Sequence, residues 1–597
     1  MRVSTIQQRL TALRLLMQEH QIDYYYVPGT DAHNNEYVPE CWQRRAWVSD
    51  FTGSAGDVLI GAEYAYLWTD SRYFLQAEQQ LEDDCFSLMK MQQGTATSEI
   101  LVWLLKHAKG LRVGVDPKLM AAVVAQQWLE VLTTHEIELV AIENNLVDLI
   151  WENQPPLESK PITLHPESLA GESASSKLSR LRACMHNQEV KAHIVTLLDA
   201  ICWLFNLRGQ DIEFNPLVVS YALITEGVAC IYLDTTVLTK EQRDYFDTIN
   251  VVVKSYNTVA ADWQQIEGPV LIDNSASWWV SQLLLEASVV LAASPITLMK
   301  ACKNSVEIQG AIHAHQLDAV AMVRFWMWLE RSWQGQTEIT IADKLEAFRR
   351  ECSECRGLSF ATIAGYAAHG AVIHYKASES SALSVTDASL LLLDSGGQYV
   401  SGTTDITRVF HMGEPSAEEK RHYTLVLQGH LALANTIFPA GTTGEHLNAI
   451  AHRPIWQACC DFSHGTGHGV GSYLCVHEGP QRISAGYSGV ALQPGMILSN
   501  EPGLYIENHY GIRIENLCYV SEVCASECSQ TGHGPFYQFK DLTLVPYDVH
   551  LIEWSLLSPS EVDLINTYHK EVFEVVSTML SPEEVDWLRE KTQPVCC

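Results

Sequence analysis

Five residues in the second half of the chain carry side chains that bind hard metal ions: Asp394, Asp405, His468, Glu501 and Glu515. Asp394 ends the apolar run Leu390 to Leu393, Asp405 precedes the run Ile406 to Phe410, and the ten residues between them are rich in turn formers. A hairpin closed between Tyr399 and Val400 sets Asp394 opposite Asp405. Glu501 and Glu515 flank a segment centred on Asn508, and a hairpin closed there brings these two together as well. Carboxylates that close repel unless a cation or a proton lies between them. Along the second strand Ile512 and Ile514 face one way and Arg513 and Glu515 the other, as expected for a site lining above a core. Arg513 is placed either to offset carboxylate charge and orient Glu515, or to form a plain surface ion pair.

His468 sits in Gly465-Thr-Gly-His-Gly-Val-Gly471, where the glycines would let backbone come near a ligand and leave the imidazole unobstructed. Four carboxylates neutralise two divalent ions. A hydroxide bridging such ions forms near neutral pH, and the second ion can hold an attacked carbonyl oxygen. Oxygen-rich ligation with one imidazole favours a hard ion such as Mn²⁺. Any one of these residues alone reads as a turn residue or a solvated charge. Spacing by itself therefore leaves open both a two-metal site and a set of unrelated turn carboxylates.

These residues need strands and turns to hold them, within a chain of 597 residues that is too long for one hydrophobic core. Asn153 to Pro161, with three prolines among polar residues, reads as a linker, and a second break lies near Ser294-Pro295. The segments before these breaks mix helical stretches with short apolar runs: Tyr24–Val27, Ala65–Trp68 and Val113–Val115, then Ala229–Leu233 and Val251–Val253. That mixture predicts two α/β domains, at residues 1–155 and 160–298, with no convincing repeat in sequence. Asn304 followed by Glu307 forms a helix start, and the apolar spacing beyond it predicts one long helix to about Trp333. Residues 302–545 form the predicted α+β domain that holds the chemistry. Residues 546–597 form a helical tail packed on it through Trp554, Tyr568, Phe573 and Trp587.

Lys and Arg total 39 against 71 Asp and Glu, and the resulting net charge of −32 excludes nucleic acid and anionic membranes as partners. No apolar run reaches the ~18–20 residues that span a bilayer. The first twenty residues read as a helix with Ile6, Leu10, Leu13 and Met17 on one face, not as a signal peptide. Sixteen cysteines without a secretory signal imply reduced thiols in a cytoplasmic protein. Cys352 with Cys355, and Cys524 with Cys528, lack a second pair at zinc spacing and read as ordinary thiols, and Cys596-Cys597 reads as a frayed end.

The strings LLLLDSGGQY, SGTTDITR, SHGTGHGVGS, LSNEPGLY and GIRIEN resemble the pita-bread metallopeptidases, the family of methionine aminopeptidase, prolidase and aminopeptidase P. The resemblance implies that Asp394 binds one metal, Asp405 and Glu515 bridge both, and His468 and Glu501 bind the other. It also implies that His374 in AVIHY, His464 in SHGTG and His477 in VHEGP place the scissile carbonyl, shuttle protons and shape a proline pocket. Arg513 joins these as a site residue.

RRAWVSDFTGSAGD, LWTDSRYFLQA, WLFNLRGQDIEFNP, KACKNSVEIQGAIHAHQLDAVA and EWSLLSPSEVDLINTYH extend the likeness to the cytosolic three-domain aminopeptidase P subgroup over nearly the whole chain. That implies two creatinase-like α/β domains before a pita-bread catalytic domain. It further implies a homodimer, and hydrolysis of peptides with proline at position two. His369-Gly370 departs from the pattern, at a place that would alter substrate fit. Arg44, Arg45 and Arg72 lie in matched first-domain strings and read as structural at least as readily as substrate-binding. The rival enzyme is prolidase, which cuts dipeptides. A binding-only relative would have lost metal ligands, and all five positions are filled here.

Overall fold

The computed structural model describes residues 4–70, 72–91, 95–523 and 534–595, so Cys524, Cys528, Cys596 and Cys597 lie outside the described residues. Its backbone divides into two compact units, one of residues 1–164, 173–213 and 217–296, the other of residues 165–172, 214–216 and 297–597.

The first unit holds two six-stranded sheets. In one, the strand Tyr24–Val27 pairs antiparallel with Asp57–Gly61 and parallel with Arg112–Val115. In the other, Ala192–Val195 pairs antiparallel with Tyr221–Thr225 and parallel with Gly268–Ile272. Outward from these central strands both sheets repeat the same sequence of parallel and antiparallel neighbours. The two sheets are thus one topology used twice, although their sequences show no repeat; the sheets constrain which positions are apolar, not which apolar residue fills them. All five short apolar runs singled out above are strands. The helix Thr5–Glu19 buries Ile6, Leu10, Leu13 and Met17, the face its spacing predicts. Arg44 is held bidentately by Asp148 at 2.7 and 2.8 Å, Arg45 donates to the carbonyls of Gly53 and Gly56, and Arg72 pairs with Asp70. These three arginines are committed inside their own unit.

The longest helix described in the second unit is Ser305–Ser332. Asn304 accepts from the Val306 and Glu307 amides, and Glu307 accepts from the Asn304 amide, a reciprocal cap that fixes the helix start. The strand Ser389–Ser395 is central to a sheet, between Ile363–Tyr366 and Ile406–Met412. Leu390 to Leu393 are all buried, because both faces of this strand are covered. A second sheet runs Ile437–Pro439, Phe536–Asp541, Asn516–Glu522, Ile497–Asn500. The tail helices Pro559–Val576 and Pro582–Lys591 pack on the same core, with Tyr568 buried and Trp554, Phe573 and Trp587 against it. Cys352 and Cys355 are free thiols. No helix among the described residues is long and apolar enough to cross a membrane.

Candidate metal centre

The two carboxylate hairpins turn out differently. Gly503–Ile506 pairs with Tyr510–Arg513 in the register Gly503↔Arg513, and outside it Asn500 pairs with Asn516. Glu501 and Glu515 therefore occupy mirrored positions between these two ladders, as the turn centred on Asn508 requires. The first hairpin closes one residue later than its turn residues suggest. Asp394 lies opposite Thr407, not Asp405, and Tyr399 pairs with Gly402. That moves Asp405 two places along the partner strand, which preserves its face of the sheet. Both aspartates thus remain on one face, and Thr407 gains a role the sequence did not reveal: its hydroxyl donates to Glu515 at 2.7 Å and accepts from Arg513 at 3.2 Å.

His468 Nε2 stands 3.5 Å from Asp405 Oδ2 and 3.5 Å from Glu501 Oε1. One donor atom each of Asp405, His468 and Glu515 lie within 4.8 Å of one another. Asp394 joins through Arg513, whose Nη2 donates to Asp394 Oδ2 at 2.6 Å. The inward oxygens Asp394 Oδ1 and Asp405 Oδ1 are buried without a hydrogen-bond partner. Buried carboxylate oxygens left this way are costly unless something positively charged meets them. Burial pushes the Asp394 carboxyl up to about 7, with the Asp405 and Glu501 charges adding to it and Arg513 opposing. Burial also raises Glu501, and raises Glu515 well above the carboxylate range, reinforced there by Asp405, Glu501 and Asp394. Four crowded carboxylates, three of them raised by burial, with one imidazole among them, fit hard divalent cations.

The strand Gly467–His468 carries the histidine, whose amide donates to Ser499 Oγ at 2.9 Å while that hydroxyl donates to Glu501 Oε1 at 3.0 Å. The glycines beside His468 serve packing between protein segments. A Cβ on Gly467 would stand 2.0 Å from the Ser499 carbonyl oxygen, and one on Gly469 would stand 2.0 Å from that of Glu478. The His477 ring meets His468 edge-on at 4.3 Å between centroids. Next to it Glu478, fully buried, is paired with Lys300 at 2.8 Å and Lys303 at 2.9 Å, both buried. This ion triad and the hydrogen bond from the Glu478 amide to the Gly469 carbonyl seat the His477 segment against the His468 loop.

His464 hydrogen bonds through Nε2 to Tyr505 OH at 2.8 Å, and Arg513 Nη1 donates to the same hydroxyl at 2.7 Å. A relay Asp394–Arg513–Tyr505–His464 results. Tyr505 was missed in the sequence, yet the ladder contains a signal for it. It lies two residues from Gly503 on one face, and a Cβ on Gly503 would meet the Tyr505 hydroxyl at 2.7 Å. Glycine leaves the space through which the tyrosine reaches Arg513. His374 is half-buried in the turn after the 3-10 segment Ala367–Ala371, and His369 hydrogen bonds to Glu338. Arg408 donates to the Glu515 carbonyl at 2.7 Å, to the Val545 carbonyl at 2.8 Å and to Tyr568 OH at 3.2 Å. The tail is thereby tied to the segment bearing Glu515.

Comparison with known proteins adds the following. Residues 310–522 match the model of metallopeptidase family M24, and residues 535–595 match the C-terminal region of that peptidase. Residues 9–149 and 153–307 each match a creatinase/prolidase N-terminal domain. A probable Xaa-Pro aminopeptidase P of Aspergillus clavatus is 38% identical over 98% of this chain and 93% of its own. Aminopeptidase P1 of Arabidopsis thaliana is 37% identical over 98% of this chain and 99% of its own. The crystal structure of the X-prolyl aminopeptidase of Caenorhabditis elegans, described as a cytosolic enzyme with a di-nuclear active site, superposes with a TM-score of 0.95 at 33% identity. It covers 99% of this chain and 100% of its own.

Proposed function

The chain belongs to the Xaa-Pro aminopeptidase P branch of metallopeptidase family M24, and on that premise we propose that it hydrolyses the bond between an N-terminal residue and a following proline. What carries this reading is the whole-length likeness to aminopeptidases P, supported by the clustered donor atoms of Asp405, His468 and Glu515, by Glu501 beside His468 and by the unpartnered oxygens of Asp394 and Asp405. Prolidase, the rival, is disfavoured by that likeness.

Asp394, Asp405, His468, Glu501 and Glu515 would hold two divalent ions, for which Mn²⁺ suits the oxygen-rich set. Such ions supply acidification of the attacking water and polarisation of the scissile carbonyl. The chain's own groups do the rest. Arg513, clamped to Asp394, opposes its protonation and aligns it. Thr407 fixes the rotamer of Glu515, and Ser499 that of Glu501. His464, held by Tyr505, faces the proline side, and His374 and His477 place the carbonyl and move protons to the leaving imide nitrogen. The free amine of the substrate would sit near the metal-site carboxylates, which limits removal to one residue. An Xaa-Pro bond has no N–H and fixes φ, so peptidases that grip an extended backbone through that group fail on it.

We place the enzyme in the cytoplasm as a homodimer, with domains at 1–155, 160–298 and 302–545 and the tail at 546–597. The test is release of the first residue from Xaa-Pro and Xaa-Pro-Yaa at equal concentration, in metal-free and Mn²⁺-loaded protein. Metal-dependent turnover of the tripeptide, lost when alanine replaces proline, is the expected result. Turnover of the dipeptide with the tripeptide inert would make this a prolidase.

A further inference from the structure

Glu338 is the first residue of the helix Glu338–Arg350, and its side chain is fully buried. A carboxylate at that depth needs every lone pair met. Its four side-chain partners all come from one stretch of chain, residues 366–383. Oε1 accepts from the Tyr366 amide at 2.9 Å and pairs with His369 Nδ1 at 2.9 Å. Oε2 accepts from Tyr375 OH at 2.8 Å and from the Leu383 amide at 2.8 Å. The Glu338 amide in turn donates to the Leu383 carbonyl at 3.1 Å. One carboxylate thus grips both feet of the segment and its middle.

His374 lies inside that grip, next to Tyr375 and five residues after His369, whose rings pack at 4.3 Å between centroids. The segment is also pressed onto the strand Tyr510–Arg513: a Cβ on Gly511 would stand 1.7 Å from the Gly370 carbonyl oxygen. That strand presents Arg513 to Asp394.

We propose that Glu338 is the positioning residue for His374, setting where its ring stands relative to the carboxylate site through the hub of donors on residues 366–383. His369, the departure from the family pattern noted in the sequence, belongs to this hub. The proposal rests on the reading that His374 acts in the proline-directed hydrolysis. Glu338→Gln replaces one acceptor oxygen by an NH₂ that must face a backbone donor in either orientation, that of Tyr366 or that of Leu383, and so loosens the segment without touching a metal-binding residue.

The experiment is a double-mutant cycle of Glu338→Gln and His374→Ala in the full-length Mn²⁺-loaded enzyme, read as kcat and KM on an Xaa-Pro-Yaa peptide with metal content measured in parallel. Expected are a fall in kcat of about 10-fold or more for Glu338→Gln with KM within about 3-fold, parental metal content, and a double variant no slower than His374→Ala alone. Losses that multiply in the double variant, or metal lost from Glu338→Gln, overturn the proposal. So does a parental kcat for Glu338→Gln beside a slow His374→Ala. A parental kcat for His374→Ala sinks the reading of His374 itself, and the proposal with it. Should Glu338→Gln not fold, Tyr375→Phe and His369→Phe each remove one donor and face the same criterion: lower kcat, and no further loss when combined with His374→Ala.

Discussion

The first unit and the centre of the second bury acidic groups in opposite ways. In the first unit Asp57 accepts from the Gly29 amide with one oxygen and from Tyr26 OH with the other. Asp116 accepts from the Lys118 amide and from Asn145. No buried carboxylate oxygen of that unit's described residues lacks a partner. In the second unit Asp394 and Asp405 each leave one oxygen bare, beside Glu501 and Glu515, both raised by burial. A satisfied buried acid is a structural tie; several unsatisfied ones converging on an imidazole mark a place kept for cations.

The sharpest way to break that comparison is one isosteric change in each region. Asp405→Asn should reduce activity by an estimated ~10³-fold or more and lower metal content while the chain stays folded, since an amide cannot bridge two cations. Asp116→Asn should cost about 1–3 kcal/mol of stability, because one donor loses its acceptor. Activity per folded molecule should be unchanged. Elemental analysis, turnover and denaturant melts on the two variants decide, and full metal content in Asp405→Asn would sink the contrast.

Next in size come the histidines. His374→Ala and His477→Ala should lower kcat by ~10²–10⁴-fold with metal retained, as expected for proton transfer, whereas His468→Ala should lose metal. A His477→Ala enzyme that regains full activity on metal reloading would show that ring to be packing only.

Much of this was legible in sequence because periodicity exposes it. The face of the first helix, the cap at Asn304 and the mirrored pair Glu501 and Glu515 follow from spacing. The first hairpin did not, because Gly396, Gly397 and Gly402 supply several places at which a turn can close. A one-residue change there exchanges Asp405 for Thr407 opposite Asp394. Ser499 and Glu338 were missed because nothing local distinguishes a hydroxyl or carboxylate that will be held by a hydrogen bond, and Tyr505 had only Gly503 to point to it.

A smaller effect separates the regions by pH. In metal-free protein the folded Asp394 carboxyl titrates at about 7, above its ordinary value near 4. The folded state therefore holds a proton that the unfolded chain releases, and stability falls as pH rises from about 4 to about 7. Chelator-treated protein should melt at lower temperature at pH 7.5 than at pH 5, and Mn²⁺ should shrink or invert the difference. A metal-free melting temperature that rises over this range would contradict the raised carboxyl. Smallest of all should be Tyr568→Phe, which removes one of several contacts to Arg408 and should lower activity by only about 2–5-fold, through the Glu515 backbone.

The Lys300–Glu478–Lys303 triad also decides where this polypeptide can be cut. The stretch matching the peptidase family starts at residue 310, and an expression fragment begun there would leave Glu478 without either of its counter-ions. Stranding such a charge costs about 3–5 kcal/mol, a large share of what keeps a domain folded. A truncated catalytic half that expresses in soluble, active form must therefore keep the two lysines that precede the long helix.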